Sequence, residues 1–148
     1  MRKRATVRPP RCMSAQAASR YAPLLLRVAL GSLFIAHLYW KFNVLPGGFG
    51  QWWANFSANG YPAFVPWYVL SAECAGAFLL IPGIHTRWVS IYALPMMLGA
   101  THFWAERKGF WFVGGGAELP AVWALMLVLQ AMLGDGPHAL WTGRRVSA

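Results

Sequence analysis

An all-α integral membrane four-helix bundle, with a short amphipathic surface helix between spans 1 and 2, is the fold that three observations predict. Of 148 residues, 57% are hydrophobic and 11% charged, against roughly 25% charged in an ordinary soluble domain. Mean hydropathy is +0.41 and there are nine tryptophans, which leaves too little polar surface to cover a small water-soluble body. Four apolar segments follow one another, approximately 22–45, 63–84, 87–105 and 117–133, each near the roughly 20 residues that a helical span needs.

The elements follow in order. Residues 1–20 carry six Lys/Arg, Pro9-Pro10 and no acid, so they lack an apolar face to order them and read as a flexible basic tail. Their acid-free composition is that of a transit peptide, but they run straight into an apolar segment too long for a signal-peptide core and without a small-residue cleavage site. Met13 could serve as the start as well as Met1. Residues 21–141 form the membrane domain, and 142–148 a second short basic tail. The turn Pro82-Gly83-Ile84-His85-Thr86-Arg87 is short enough to make the second and third spans an antiparallel hairpin, and Pro95 predicts a kink in the third. Between the first two spans, Phe49, Trp52, Trp53 and Phe56 recur at i, i+3, i+4, i+7 while Gln51, Asn55 and Asn59 take the other side. This pattern is a short amphipathic helix, near 51–58, lying on the membrane surface. Gly47-Gly48 and Gly60-Tyr61-Pro62 supply its flanking turns.

Most of the +9 net charge sits in the N-terminal tail. No DNA- or RNA-binding module follows Arg2, Lys3, Arg4, Arg8 and Arg11, so the charge reads as topology and anionic headgroups and nucleic acid is excluded as a partner. The two cysteines, Cys12 and Cys74, are too far apart and too differently placed for a disulfide framework or a CxxC pair; Cys74 reads as a small buried hydrophobe. No zinc spacing and no Ser-His-Asp arrangement is present, so no metal site is expected. The glycines at 114–116 have no lysine after them, which makes them a close helix entry rather than a nucleotide loop.

Chemistry is expected where polar residues enter the spans. Glu73 stands ten residues into the second span, about 15 Å down at roughly 1.5 Å per residue, where an unpaired acid costs roughly 2.5–3.5 kcal/mol. It needs a partner. On the first span Arg27, Gly31, Phe34, Leu38 and Lys41 share a stripe, with His37 one turn before Lys41. Arg27 and Lys41 lie near opposite surfaces and can snorkel, which leaves His37 better placed to approach Glu73. Pro95, Gly99, His102 and Glu106 form a like stripe on the third span, and Glu118 opens the fourth. His37, Lys41, Glu73, His102, Glu106 and Glu118 are therefore expected to converge in the outer half of the bundle. The set suits either a structural hydrogen-bond network or a proton-handling site built on Glu73, His37 and His102. Axial haem ligation by His37 and His102 is disfavoured, because their depths differ by about 5 Å.

The order of these polar residues resembles the DoxX family of small four-helix membrane proteins over about residues 24–140. The marks are Arg27-Val-Ala-Leu-Gly31, Lys41, Gly60-Tyr-Pro62, Glu73-Cys-Ala-Gly76, Pro82-Gly83-Ile-His-Thr86-Arg87, His102-Phe-Trp104, Gly115-Gly116-Ala-Glu118-Leu-Pro120 and Gly134-Asp-Gly136-Pro-His-Ala-Leu140. The resemblance implies that Arg27, Lys41, Glu73, Arg87 and Glu118 are the pattern residues. Two positions depart from it: Leu38 stands where a Gly often precedes the Lys, and Trp141 replaces the usual Asp. The family's namesake resembles a subunit of a thiosulfate:quinone oxidoreductase. For this chain that implies a membrane subunit of a quinone-linked oxidoreductase, with a redox partner protein, no intrinsic cofactor, and a quinone at a site lined by Lys41, Glu73, Glu118, His37, His102 and Arg27. The competing expectation is a non-catalytic scaffold that recruits partners through its aromatic loop and basic tail. A solute or proton conduit is disfavoured, since four short helices leave little room for a pore without oligomerisation.

Nine cations would lie on one side of the four spans (six in the tail, Arg87, Arg144 and Arg145) and two, Arg107 and Lys108, on the other. The positive-inside rule then puts both termini in the cytoplasm of a bacterial inner membrane. Cys12 is expected to react with a membrane-impermeant maleimide only from the cytoplasmic side, and a cysteine introduced by Asn55→Cys only from the outside. The opposite labelling pattern inverts the topology.

Overall fold

The computed structural model describes the backbone of residues 15–141 and side chains from Ser19 onward. Residues 1–14 and 142–148, which hold Cys12 and most of both basic tails, lie outside the described residues. Five α-helices follow in order: α1 (Ala15–Tyr39), continued by a π-helical turn (Trp40–Val44), α2 (Gly48–Ala58), α3 (Phe64–Leu79), α4 (Thr86–Lys108) and α5 (Glu118–Leu133). No strand is present among the described residues; Ile84 and Trp141 form one isolated parallel bridge. α1 begins at Ala15, so the last residues read as flexible tail are helical.

The four long helices close a ring, α1 on α3, α3 on α4, α4 on α5 and α5 back on α1, with α2 outside it against the π turn and the start of α3. The core is one cluster: Leu30 and Phe34 from α1, Ala72 and Ala77 from α3, Val89, Ala93, Met96 and Met97 from α4, Trp123, Ala124 and Leu127 from α5. Small residues bring α1 and α3 together. Gly76 lies against the Phe34 ring, where any Cβ would collide, and a Cβ on Gly31 would come within 2.5 Å of Ile81 Cγ1. The hairpin between α3 and α4 turns through Gly83 and His85, both at positive φ (77° and 49°). α4 runs unbroken through Pro95.

The outer surface is as apolar as the core. Leu25, Phe78, Trp88 and Met132 are each two-thirds or more exposed, and such extensive apolar exposure belongs to a lipid-facing surface or an interface. By length and composition together, however, the described residues contain one helix able to cross a membrane, the continuous stretch Ser19–Val44; only 28% of its apolar window is buried. α3 and α5 have 16 residues each, about 24 Å at roughly 1.5 Å per residue, short of the roughly 30 Å hydrocarbon core. α4 has 23 residues but carries Arg87, His102, Glu106, Arg107 and Lys108 within it. Of the spans expected from hydropathy, the second loses its last residues to the turn before α4, the third extends to Lys108, and the fourth stands within a residue of its expected bounds.

Close approach at Gly76 predicts a contrast within one protein. Gly76→Val should cost about 1–3 kcal/mol through overpacking against Phe34, seen as a lowered Tm. Gly99→Ala, with nothing within 4 Å of its Cβ position, should leave Tm unchanged or raised by at most about 1 kcal/mol equivalent.

Candidate functional site: a buried ion pair beneath an indole

The end of α1 carries a lysine inward. The Leu45 amide donates to the Trp40 carbonyl at 2.9 Å, the long hydrogen bond of a π turn. The extra residue in that turn rotates the following side chains relative to a regular helix. Lys41, at the start of the turn, continues the inward stripe of Arg27 and Phe34 and is 3% exposed. Its Nζ forms a buried ion pair and hydrogen bond with Oε2 of Glu73 on α3, itself 3% exposed. Each charge supplies the counter-charge that the other's burial demands, and removing one partner of such a pair typically costs about 3–5 kcal/mol.

The pair is closed from outside by α2. Gly47 and Gly48, at φ 79° and 57°, reverse the chain so that α2 passes over the π turn. Trp52, 8% exposed, sets its ring 4.0 Å from Lys41 Nζ, a cation–π contact strengthened where water is excluded. Aromatic contacts hold α2 in place: Phe42 stacks on Phe49 at 5.0 Å, Trp52 meets Phe56 at 4.9 Å, and Trp53 meets Trp67 at 4.9 Å. Gln51, Asn55 and Asn59 are exposed, with Gln51 Nε2 donating to Asn55 Oδ1 at 3.0 Å. The amphipathic face read from the sequence exists, but its central tryptophan covers the ion pair instead of facing lipid.

His37 takes a different neighbour from the one expected. It lies one turn before Lys41, and its ring meets the edge of Trp123 on α5 at 4.8 Å. Lys41, not His37, reaches Glu73, because it continues the inward stripe of α1 and its long stem spans the gap. His102 and Glu106 do not join this group. They pair with each other at 3.4 Å on the outward face of α4, their side chains 73% and 63% exposed. Glu118 is also elsewhere in its bonding: its Oε2 accepts the Phe112 amide at 3.0 Å and fixes the loop before α5. Of the six side chains expected to converge, Lys41 and Glu73 meet inside the bundle, and His102 meets only Glu106 on the outward face. The reason is rotational: α4 presents Met96 and Met97 to the core, which turns His102 and Glu106 outward.

Arg27 lies about 20 Å along α1 from Lys41, at roughly 1.5 Å per residue, and is 1% exposed. Its guanidinium donates to the carbonyls of Asp135, Pro137 and His138, the last two at 3.1 and 2.9 Å. It thus clamps the segment after α5. Asp135 in turn accepts the Thr86 amide at 3.0 Å and the Thr86 hydroxyl at 2.7 Å, capping α4, and Arg87 Nε donates to the Ala131 carbonyl at 2.9 Å. Trp141, at the position where the sequence departs from the family pattern, donates its amide to Gly83 at 3.4 Å and sets its ring 5.5 Å from His85. This second cluster ties chain ends together and is remote from the ion pair. Sequence reasoning missed the roles of Trp52, Trp123 and Asp135. Asp135 alone left a signal, an acid flanked by glycines just after an apolar helix.

No group of three His, Cys, Asp or Glu able to hold a metal occurs among the described residues. Cys74, half-buried beside Glu73, is a free thiol. Lys41 and Glu73 together offer a buried donor and acceptor joined by a hydrogen bond, with the His37 imidazole one turn away on the same helix. Such a group can hold or pass a proton. Among comparisons with known proteins, the DoxX family model matches residues 22–107, more than half of the chain, spanning α1 through nearly all of α4. The match supports a membrane protein and carries Arg27, Lys41, Glu73 and Arg87 within it. No curated protein and no solved structure matches the chain.

Proposed function

Because the chain belongs to the DoxX family, we propose that it is a multi-pass inner-membrane protein serving as the membrane subunit of a quinone-linked oxidoreductase. Four spans place both termini in the cytoplasm, and the Lys41–Glu73 pair handles protons in the outer half of the bundle. The observation that carries this reading is the pair itself, a full positive and negative charge sealed under Trp52 in an otherwise apolar body. Inert packing does not require two charges there, since apolar residues of like volume are often as stabilising or more so.

A bound quinone would supply the redox chemistry, taking two electrons and two protons to become the quinol. The electrons come from a partner protein. The chain's own residues do the rest: Lys41 and His37 offer N–H groups, Glu73 keeps Lys41 in place, and Trp52 excludes water. A proton passed from Lys41 leaves a neutral amine hydrogen-bonded to Glu73, and reprotonation restores the pair. The alternative, a non-catalytic scaffold, is favoured by one observation: Arg27, Glu118 and Asp135 all spend their hydrogen bonds holding backbone in place.

The protein purified from its native membrane with associated subunits tests the choice. The neutral double variant Lys41→Gln with Glu73→Gln keeps the volume and a hydrogen bond while removing both charges. It should remain folded, yet lower the quinone-reductase activity of the complex by roughly a hundredfold, the range of a lost proton-transfer group. A folded wild-type preparation with no quinone-linked activity, or full activity in the neutral variant, leaves the scaffold reading standing.

A further inference from the structure

The outward surfaces of α4 and α5 differ in kind. On α5 the exposed positions Leu119, Val122, Leu125, Leu129 and Met132 are all apolar, the surface that a helix turns to lipid tails. On α4 the exposed positions Trp88, Tyr92, Pro95, Gly99, His102 and Glu106 follow one another at spacings of 4, 3, 4, 3 and 4. That alternation is the a/d seam of two helices packed along their length, each knob seated in a hole made by four residues of the facing helix. α4 gives Val89, Ala93, Met96 and Met97 to the core of its own bundle. The seam is a second face, turned away from those residues and exposed along its whole length. At its edge Tyr92 meets Tyr68 and Ser71 of α3.

The middle of the seam is bare, since nothing lies within 4 Å of where a Cβ on Gly99 would stand. A position without a side chain lets a second backbone come close, and in lipid it is small residues and polar side chains that bring helices together. One turn further on, His102 and Glu106 pair at 3.4 Å with their side chains 73% and 63% exposed. Lipid tails offer neither group a partner. A second copy of α4 offers both. The pair sets an N–H donor and a carboxylate acceptor on successive seam positions, so it is complementary to itself. In two parallel α4 helices related by a two-fold axis, a d-position knob sits between two a positions of the facing helix. His102 then fits over the space at Gly99 of the second copy and beside its Glu106, and the symmetry repeats the contact, as in any isologous interface.

We propose that this face of α4 is a dimer interface: two copies of the chain pack in parallel along the seam of residues 88–106, their backbones closest at Gly99, with His102 of each copy donating to Glu106 of the other. The parallel arrangement rests on the membrane reading above, because two copies in one membrane share one orientation. The interface itself is independent of the quinone reading. The Lys41–Glu73 pair joins α1 to α3 and lies off the seam, so each copy keeps its own.

Disulfide cross-linking in the native membrane tests the proposal. In a chain carrying Cys12→Ser and Cys74→Ala, Gly99→Cys should give a disulfide-linked dimer on mild oxidation. Leu125→Cys, on the exposed face of α5, should stay uncross-linked. Sedimentation equilibrium of the full chain in detergent then measures the strength of the contact. Gly99→Leu, whose Cβ has open space within its own chain, should weaken dimerisation at least about tenfold by overpacking across the two-fold axis. His102→Ala should weaken it roughly three- to tenfold, the worth of two interhelical hydrogen bonds in lipid. Leu125→Ala should dimerise like the wild type. If Gly99→Leu fails to fold, the comparison of cross-linking at positions 99 and 125 decides. A wild type that sediments as a monomer and gives no cross-link at position 99 overturns the dimer. Cross-linking at 125 but not at 99, or a folded Gly99→Leu variant that dimerises as tightly as the wild type, overturns the α4 seam. Undiminished dimerisation of His102→Ala overturns the exchanged His102–Glu106 contact.

Discussion

A lysine and a glutamate shut inside an apolar bundle can persist only as a pair, and the end of the molecule around the α1–α2 turn is arranged around that necessity. Lys41 continues the inward stripe of α1 at the start of the π turn. α3 brings Glu73 to meet it through the close α1–α3 approach that Gly76 allows beneath Phe34. α2 then folds back so that Trp52 covers the charges. Each step has the same physical source: a buried charge is tolerated when a counter-charge, a hydrogen bond and the exclusion of water come together. The flanking aromatic stacks supply the packing that keeps the cover in place.

α1 carries a second polar anchor at its other end, and the contrast between the two is informative. Arg27 spends its donors on three backbone carbonyls of the segment after α5. Its work is to hold chain together. Asp135 extends that knot to the start of α4. Lys41 and Glu73 hold no backbone. Their bond joins two side chains in the place where helix packing alone would have sufficed, which is why a chemical role is assigned to this end and a mechanical one to the other.

The helical class, the amphipathic segment and the need of Glu73 for a partner were all legible in the sequence, because hydropathy, aromatic spacing and the cost of burying an acid are local properties. The identity of that partner was not. Helical-wheel placement put Lys41 on the inward stripe, but estimated depth favoured His37, and the length of the lysine stem, which reaches inward as readily as outward, decided the contact. His102 and Glu106 shared a stripe on α4, but a stripe does not say which way the helix is rotated, and Met96 and Met97 won the inward face. The second span read from hydropathy became the shorter α3 because the turn at Gly83 and His85 consumes apolar residues.

The central claim is that Lys41 and Glu73 are joined as a charge pair, and exchanging their charges tests it directly. Thermal unfolding would be measured for Lys41→Glu, for Glu73→Lys and for the double variant carrying both, in the same detergent. Each single change buries two like charges, so both should be severely destabilised or fail to fold. The double variant should regain most of the wild-type Tm. A double variant no more stable than the worse single one would contradict the account.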